Sequence, residues 1–91
     1  MRMWNSYSEF LSFGYHLDDD IKLLYGKYIF SIRGLCGGRP VVGSHRISVE
    51  NIAGFVKSGD TVDYVALTYN IPVDTVMEAL EYYYLNYDNY A

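Results

Sequence analysis

The sequence predicts an α+β fold, mostly α, in which a short N-terminal β-hairpin or meander leads into a helix-turn-helix-like bundle of three helices. Three observations carry this reading. Residues 27–33 and 39–48 are rich in β-branched and aromatic side chains, interrupted by glycines and Pro40. From Val49 onward apolar residues recur at helical spacing behind Ser48 and Thr61, two residues suited to helix N-caps. Asn70-Ile71-Pro72 makes one tight break between two such stretches.

A chain of 91 residues is one small domain. At that size folding removes only about 60–65% of the unfolded chain's surface from water. Its 11 tyrosines therefore exceed what the core can hold, and self-association is expected. The organisation read from composition is a variable aromatic and helical segment, 1–26, followed by a single domain, 27–91. Within that domain the β element covers 27–48 and the helical bundle 48–86.

Taken in order, residues 1–15 carry a weak helical stripe of Trp4, Tyr7, Phe10, Leu11 and Phe13. Asp18-Asp19-Asp20 then opens a short helix through Ile21–Tyr25 that stops at Gly26, with acids where the helix dipole favours them. Three adjacent aspartates also suggest a metal site. A divalent ion needs ligands that converge, whereas neighbouring side chains on a helix diverge, so solvated helix-start charges are the expected role.

Lys27 to Arg33 reads as a strand with Tyr28, Phe30 and Ile32 on one face. After the Gly34–Gly38 loop, Arg39 to Val42 is a second extended piece. Pro40 cannot donate to a ladder, so this piece belongs at an edge. Gly43-Ser44 is a turn and His45 to Ser48 a third extended piece.

Ser48 caps a helix whose inner positions are Val49, Ile52, Ala53 and Val56, with Gly59 beyond Lys57 as its stop. Thr61 caps the next, lined inward by Val62, Val65, Ala66 and Tyr69. It ends at Asn70, a residue tolerant of left-handed backbone. Pro72 opens the last helix, which runs to Leu85 or beyond. There Val73, Val76, Leu80, Tyr83, Tyr87 and Tyr90 form a heptad seam, with Val73, Val76 and Leu80 assigned to the core. Asp74, Thr75, Glu78 and Glu81 point outward. Surplus tyrosines suit an interface, and Tyr83, Tyr84 and Tyr87 are the expected homodimer contacts.

Charge is polarised along the chain. Between Ile21 and Lys57 stand six bases and one acid, a balance of +5, whereas Ser58 to Ala91 holds six acids and no base, a balance of −6. Such patches pair across a homodimer or steer a charged partner. They also weigh against reading of DNA by the last helix, because affinity for the phosphate backbone comes from bases that displace counterions. If operator DNA is bound, the surface to expect is the basic stretch around Arg33, Arg39 and Arg46.

Other chemistries are weakly supported. One cysteine makes no disulfide, and Cys36, His16 and His45 lack zinc-ligand spacing. Cys36 with His45 as base lacks an orienting third group, and Gly34 to Arg39 lacks the Gly-Lys-Ser/Thr ending of a phosphate loop. No enzymatic activity and no cofactor are expected. No run approaches the ~20 apolar residues of a membrane span, and the opening residues lack a signal peptide's apolar core, so a cytoplasmic protein is expected.

The stretch from Cys36 to Val49 organises the rest, since with Gly34 it holds four of the eight glycines and the only cysteine. Gly37-Gly38-Arg39-Pro40-Val41-Val42, then Arg46-Ile47-Ser48-Val49, Ile52 with Gly59, Thr61 through Tyr69, and Val76 with Ala79-Leu80 and Tyr82 together resemble the bacterial domain of unknown function 433 family. The similarity covers about Tyr28 to Tyr84. Ser44 stands where that family has glycine before its Thr/His-Arg-Ile segment, and Asn70 replaces its proline. The resemblance implies a dimeric helix-turn-helix-like bundle behind a short sheet. Some relatives are regarded as antitoxins of type II toxin–antitoxin pairs whose partner is a PIN-like ribonuclease. On this reading Arg39 and Arg46, with His45 and Arg33 beside them, are the partner-binding residues, and a helix-turn-helix transcriptional regulator is the alternative.

Overall fold

The computed structural model describes residues 3–87. Its elements are α1 (Tyr7–Ser12), β1 (Ile21–Tyr25), β2 (Ile29–Ile32), β3 (Val41–Val42), α2 (Val49–Lys57), α3 (Val62–Tyr69) and α4 (Val73–Asn86). The three strands form one antiparallel sheet in the order β1-β2-β3. Three helices follow it, so the fold is α+β and mostly α.

The sheet is covered on both sides, which explains the adjacent buried pair Ile29 and Phe30. Neighbouring strand residues point to opposite faces. Ile29 enters a core with Val42, Val49, Ile52, Val65, Ala66, Ile71, Val76 and Ala79, which is the inside of the helical bundle. Phe30 enters a second core with Trp4, Phe10 and Val41. Tyr28, which alternation groups with Phe30 and Ile32, packs instead against the helical core. Trp4 meets Phe10 and Phe30 edge to face, with ring centroids 4.9 and 4.6 Å apart. Residues 4–13 are thus a layer against the sheet, with α1 started by Ser6, whose hydroxyl accepts the Glu9 N–H.

Residues 21–25 are a strand, not the short helix expected there. Asp18 Oδ1 accepts the N–H groups of Asp20 and Ile21 at 2.7 and 3.0 Å, so the acids shape a turn into the strand. Five residues gain little as an isolated helix. Paired with β2, they place Ile21 and Leu23 against the second core and Tyr25 against α4, while Lys22 and Leu24 stay exposed.

Pro40 precedes β3, which lies at the edge of the sheet. The third extended piece reduces to a single bridge between Val41 and Ser48. Ser48 Oγ accepts the Asn51 N–H at 3.1 Å and Thr61 Oγ1 accepts the Tyr64 N–H at 3.1 Å, capping α2 and α3. Asn70 adopts the left-handed conformation (φ 55°, ψ 47°) that closes α3 and turns the chain into α4. Pro72 sits at the N-cap of α4.

The inward face of α4 is rotated from the expected seam. Thr75, expected outside, is 1% exposed, and Val73, expected inside, is 42% exposed. Thr75, Val76 and Ala79 fill the core, with Leu80, Tyr82 and Tyr83 packed beside them. Polarity alone assigned Thr75 to solvent, whereas the helix presents whichever side fits against α2 and α3. Tyr90 of the seam lies outside the described residues.

Candidate functional site

The fold separates the four arginine and histidine positions into three environments. Arg33 follows β2 and Arg46 follows the turn after β3, and the sheet brings them to one groove of about 630 Å³. Met3, Ile32 and Leu35 give that groove apolar walls, and Gly34 and Ser44 complete it. Arg33 holds Asp20 at 3.4 Å, with the arginine side chain 82% exposed. A pair this exposed contributes at most about 1 kcal/mol, so Arg33 is free to exchange its partner. Arg46 is exposed and has no ion pair among the described residues.

Arg39 belongs elsewhere. Its guanidinium reaches Glu50 on α2 at 3.5 Å. Glu50 also accepts a hydrogen bond from the Tyr87 hydroxyl. Burial, and then the Glu50 charge, push the Tyr87 hydroxyl above its ordinary range.

His45 is a structural residue. Its Nε2 lies 2.6 Å from Asn5 Oδ1, which ties the turn after β3 to the N-terminal layer. Desolvation lowers its pKa, against the opposing pull of Glu9. The sign follows directly: the folded state takes up the proton less readily than the unfolded chain, so stability is lost as pH falls below the ordinary histidine value near 6.5. Thermal unfolding between pH 8 and 5 is expected to show a larger fall in Tm for the wild type than for His45→Asn. Equal slopes would remove this role. Comparing the two proteins isolates His45 from Glu78, whose raised pKa acts in the opposite direction.

A second concave surface, of about 580 Å³, lies between the β1–β2 turn and α4, lined by Tyr25, Lys27, Tyr28, Asp74, Met77, Glu78 and Glu81. Glu78 Oε1 accepts the Lys27 N–H at 2.6 Å, and the Tyr28 N–H also donates to this carboxylate. Gly26 is required by this clasp, because a Cβ there would lie 1.1 Å from Glu78 Oε1. Burial raises the Glu78 pKa while the backbone donors oppose it. The Tyr25 hydroxyl donates to Glu81, and that bond, followed by desolvation, raises the Tyr25 pKa. The Tyr28 hydroxyl is raised by burial and by Asp74 and Glu78. The cleft is therefore negative where the arginine groove is positive.

The expected dimer tyrosines divide similarly. Tyr83 and Tyr87 stack at 4.9 Å and are half-buried, with Lys57 Nζ donating to the Tyr83 hydroxyl at 3.0 Å. Tyr84 is the exposed member, at 43%. Cys36 packs at the margin of the second core. Among the described residues no group of three or more His, Cys, Asp or Glu can hold a metal ion, and no helix is long and apolar enough to cross a membrane.

Sequence reasoning named both groove arginines but not their apolar walls. Met3 and Leu35 carry no local signal, since the groove exists only once the N-terminal layer lies on the sheet. The acidic cleft was visible as the acids of the last helix, yet its opposite wall comes from a turn read as a helix end.

No curated protein and no solved structure matches this chain. A family model described as protein of unknown function (DUF433) matches residues 29–83, from the start of β2 to the last turns of α4. That match spans more than half of the chain and includes both the β2–β3 element and the three-helix bundle, and the chain belongs to this family.

Proposed function

We propose that this protein is a non-enzymatic protein-interaction module of the antitoxin type, which captures an acidic partner such as a PIN-like ribonuclease. The observation that carries the reading is the convergence of Arg33 and Arg46 on one groove with apolar walls. Arginine forks suit carboxylates, and nearby apolar surface adds burial to the charge contact. Arg39, already joined to Glu50, contributes from the α2 side, and His45 acts by holding the turn that carries Arg46.

The regulator alternative is disfavoured by electrostatics. In a three-helix unit α4 takes the place of the groove-reading helix, and it presents Asp74 and Glu81 to solvent with no lysine or arginine along its length. Carboxylates oppose approach to phosphates.

Reciprocal co-purification with the product of an adjacent ribonuclease gene tests the proposal. The wild type is expected to retain the nuclease and relieve its toxicity, and Arg33→Glu/Arg46→Glu is expected to weaken capture by about tenfold or more. Both arginines are exposed, so that variant keeps its fold, which circular dichroism verifies. Absence of co-purification by the wild type, or full capture by the double variant, overturns the assignment.

A further inference from the structure

We propose that the hollow between α2 and α3 receives the guanidinium of an arginine side chain presented by a partner protein. The hollow, of about 200 Å³, is lined by Phe55, Asp60, Tyr64, Val65, Thr68 and Tyr69. Pockets that hold a drug-sized ligand run from about 300 to 1,000 Å³, so this one suits the head of a single side chain. Phe55 on α2 and Tyr69 at the end of α3 stack with ring centroids 5.4 Å apart and planes inclined at 28°, which makes one continuous aromatic wall. Tyr64 adds a third ring and buried Val65 an apolar lining. Aromatic faces carry partial negative charge and attract a cation within about 6 Å of the ring centre.

Asp60 supplies the full charge. It lies in the connection between the two helices, half-buried, and among the described residues its carboxylate has no ion pair. The base nearest in sequence, Lys57, is turned to Tyr83, with its Nζ 3.0 Å from the hydroxyl and 4.5 Å from the ring centroid, and no base follows it in the sequence. The cation therefore comes from another molecule. Shape selects arginine over lysine. A guanidinium is planar and weakly hydrated, so it lies flat on the rings while its edge N–H groups reach the carboxylate, whereas an ammonium is a strongly hydrated point charge with no flat face. The surroundings select a protein over a free ion. Leu67, 80% exposed, stands one helical turn from Tyr64, 58% exposed, with exposed Asp63 beside them. A small ion leaves that rim uncovered, whereas a chain that anchors an arginine in the hollow covers it with neighbouring residues. The hollow shares no lining residue with the arginine groove, so this proposal stands apart from ribonuclease capture.

Two-dimensional NMR of the full chain tests this, with the blocked peptide acetyl-Leu-Arg-Leu-amide as probe. Saturable shifts are expected at the amides of Phe55, Asp60, Tyr64 and Tyr69. Replacing the arginine by citrulline, its neutral counterpart of similar shape, is expected to weaken binding by about tenfold or more. Asp60→Asn and Tyr64→Ala are each expected to weaken it by about threefold to tenfold. Neither side chain belongs to the helical core, and circular dichroism of each variant confirms folding. The lysine peptide, and methylguanidinium as the head group alone, are both expected to bind more weakly than the arginine peptide. The absence of saturable shifts, equal binding of the citrulline peptide, or full affinity in either variant overturns the proposal. Equal or tighter binding of methylguanidinium overturns the protein source, and equal or tighter binding of the lysine peptide overturns the choice of arginine. Ribonuclease capture is read separately by co-purification, so failure of one reading leaves the other measurable.

Discussion

Trp4→Ala is expected to destabilise the protein by about 3–5 kcal/mol, the range for emptying a buried tryptophan site. Trp4 is 0% exposed and fits between Phe10 and Phe30, so truncation removes the centre of the second core. Small domains hold about 5–15 kcal/mol in total, and a loss of this size lowers the urea midpoint severely. Hydrogen exchange is expected to show where the loss falls, with protection vanishing at residues 4–13 before α2 to α4. Trp4→Phe is the informative control. The indole Nε1 is buried with no hydrogen-bond partner among the described residues, so phenylalanine removes an unsatisfied donor and offsets part of the lost volume. An unchanged midpoint for Trp4→Ala, measured by circular dichroism, would sink the claim that residues 4–13 are integral to the fold.

Gly43→Ala is expected to act on the same junction from the opposite side. Gly43 has φ +53°, and a Cβ there would stand 2.4 Å from the Trp4 carbonyl oxygen and 2.8 Å from that of Asn5. The left-handed backbone alone costs a non-glycine residue about 1–2 kcal/mol. The clash adds to this, because both obstructing atoms are backbone and cannot rotate away. The Trp4 carbonyl also takes part in the clasp in which Trp4 N–H donates to Ser44 Oγ at 2.8 Å and Ser44 N–H donates to the Trp4 carbonyl at 3.0 Å. Gly37→Ala separates the two costs, since Gly37 has φ +67° but open space around its Cβ position. Urea unfolding followed by the fluorescence of the single tryptophan is expected to place Gly43→Ala well below Gly37→Ala, and equal midpoints would refute the steric argument.

Much of the bundle was legible because its signals are local. Ser48 and Thr61 are caps, and Asn70 ends α3, for reasons contained within a few residues of each. The strand β1 was misread because Asp18 to Asp20 and Gly26 punctuate a helix and a strand alike. Only pairing with β2 decides between them, although Ile21, Leu23 and Tyr25 do alternate with the exposed Lys22 and Leu24. The register of α4 failed for a related reason. Thr75 looks like a surface residue by type, but the packing of α4 in the bundle leaves it 1% exposed. The site lay between these extremes: charge marked Arg33 and Arg46, while the groove that joins them depends on contacts distant in sequence.

The Trp4–Ser44 clasp also sets an order of events. Its two residues are separated by 40 positions, whereas β1 meets β2, and α3 meets α4, across short connections. Closing the longer loop carries the greater entropic cost and has no surface to close upon until β2 and β3 exist. During synthesis Trp4 and Phe10 precede the strands that shelter them, so these aromatic residues are open to association with other nascent chains until β2 and β3 have followed.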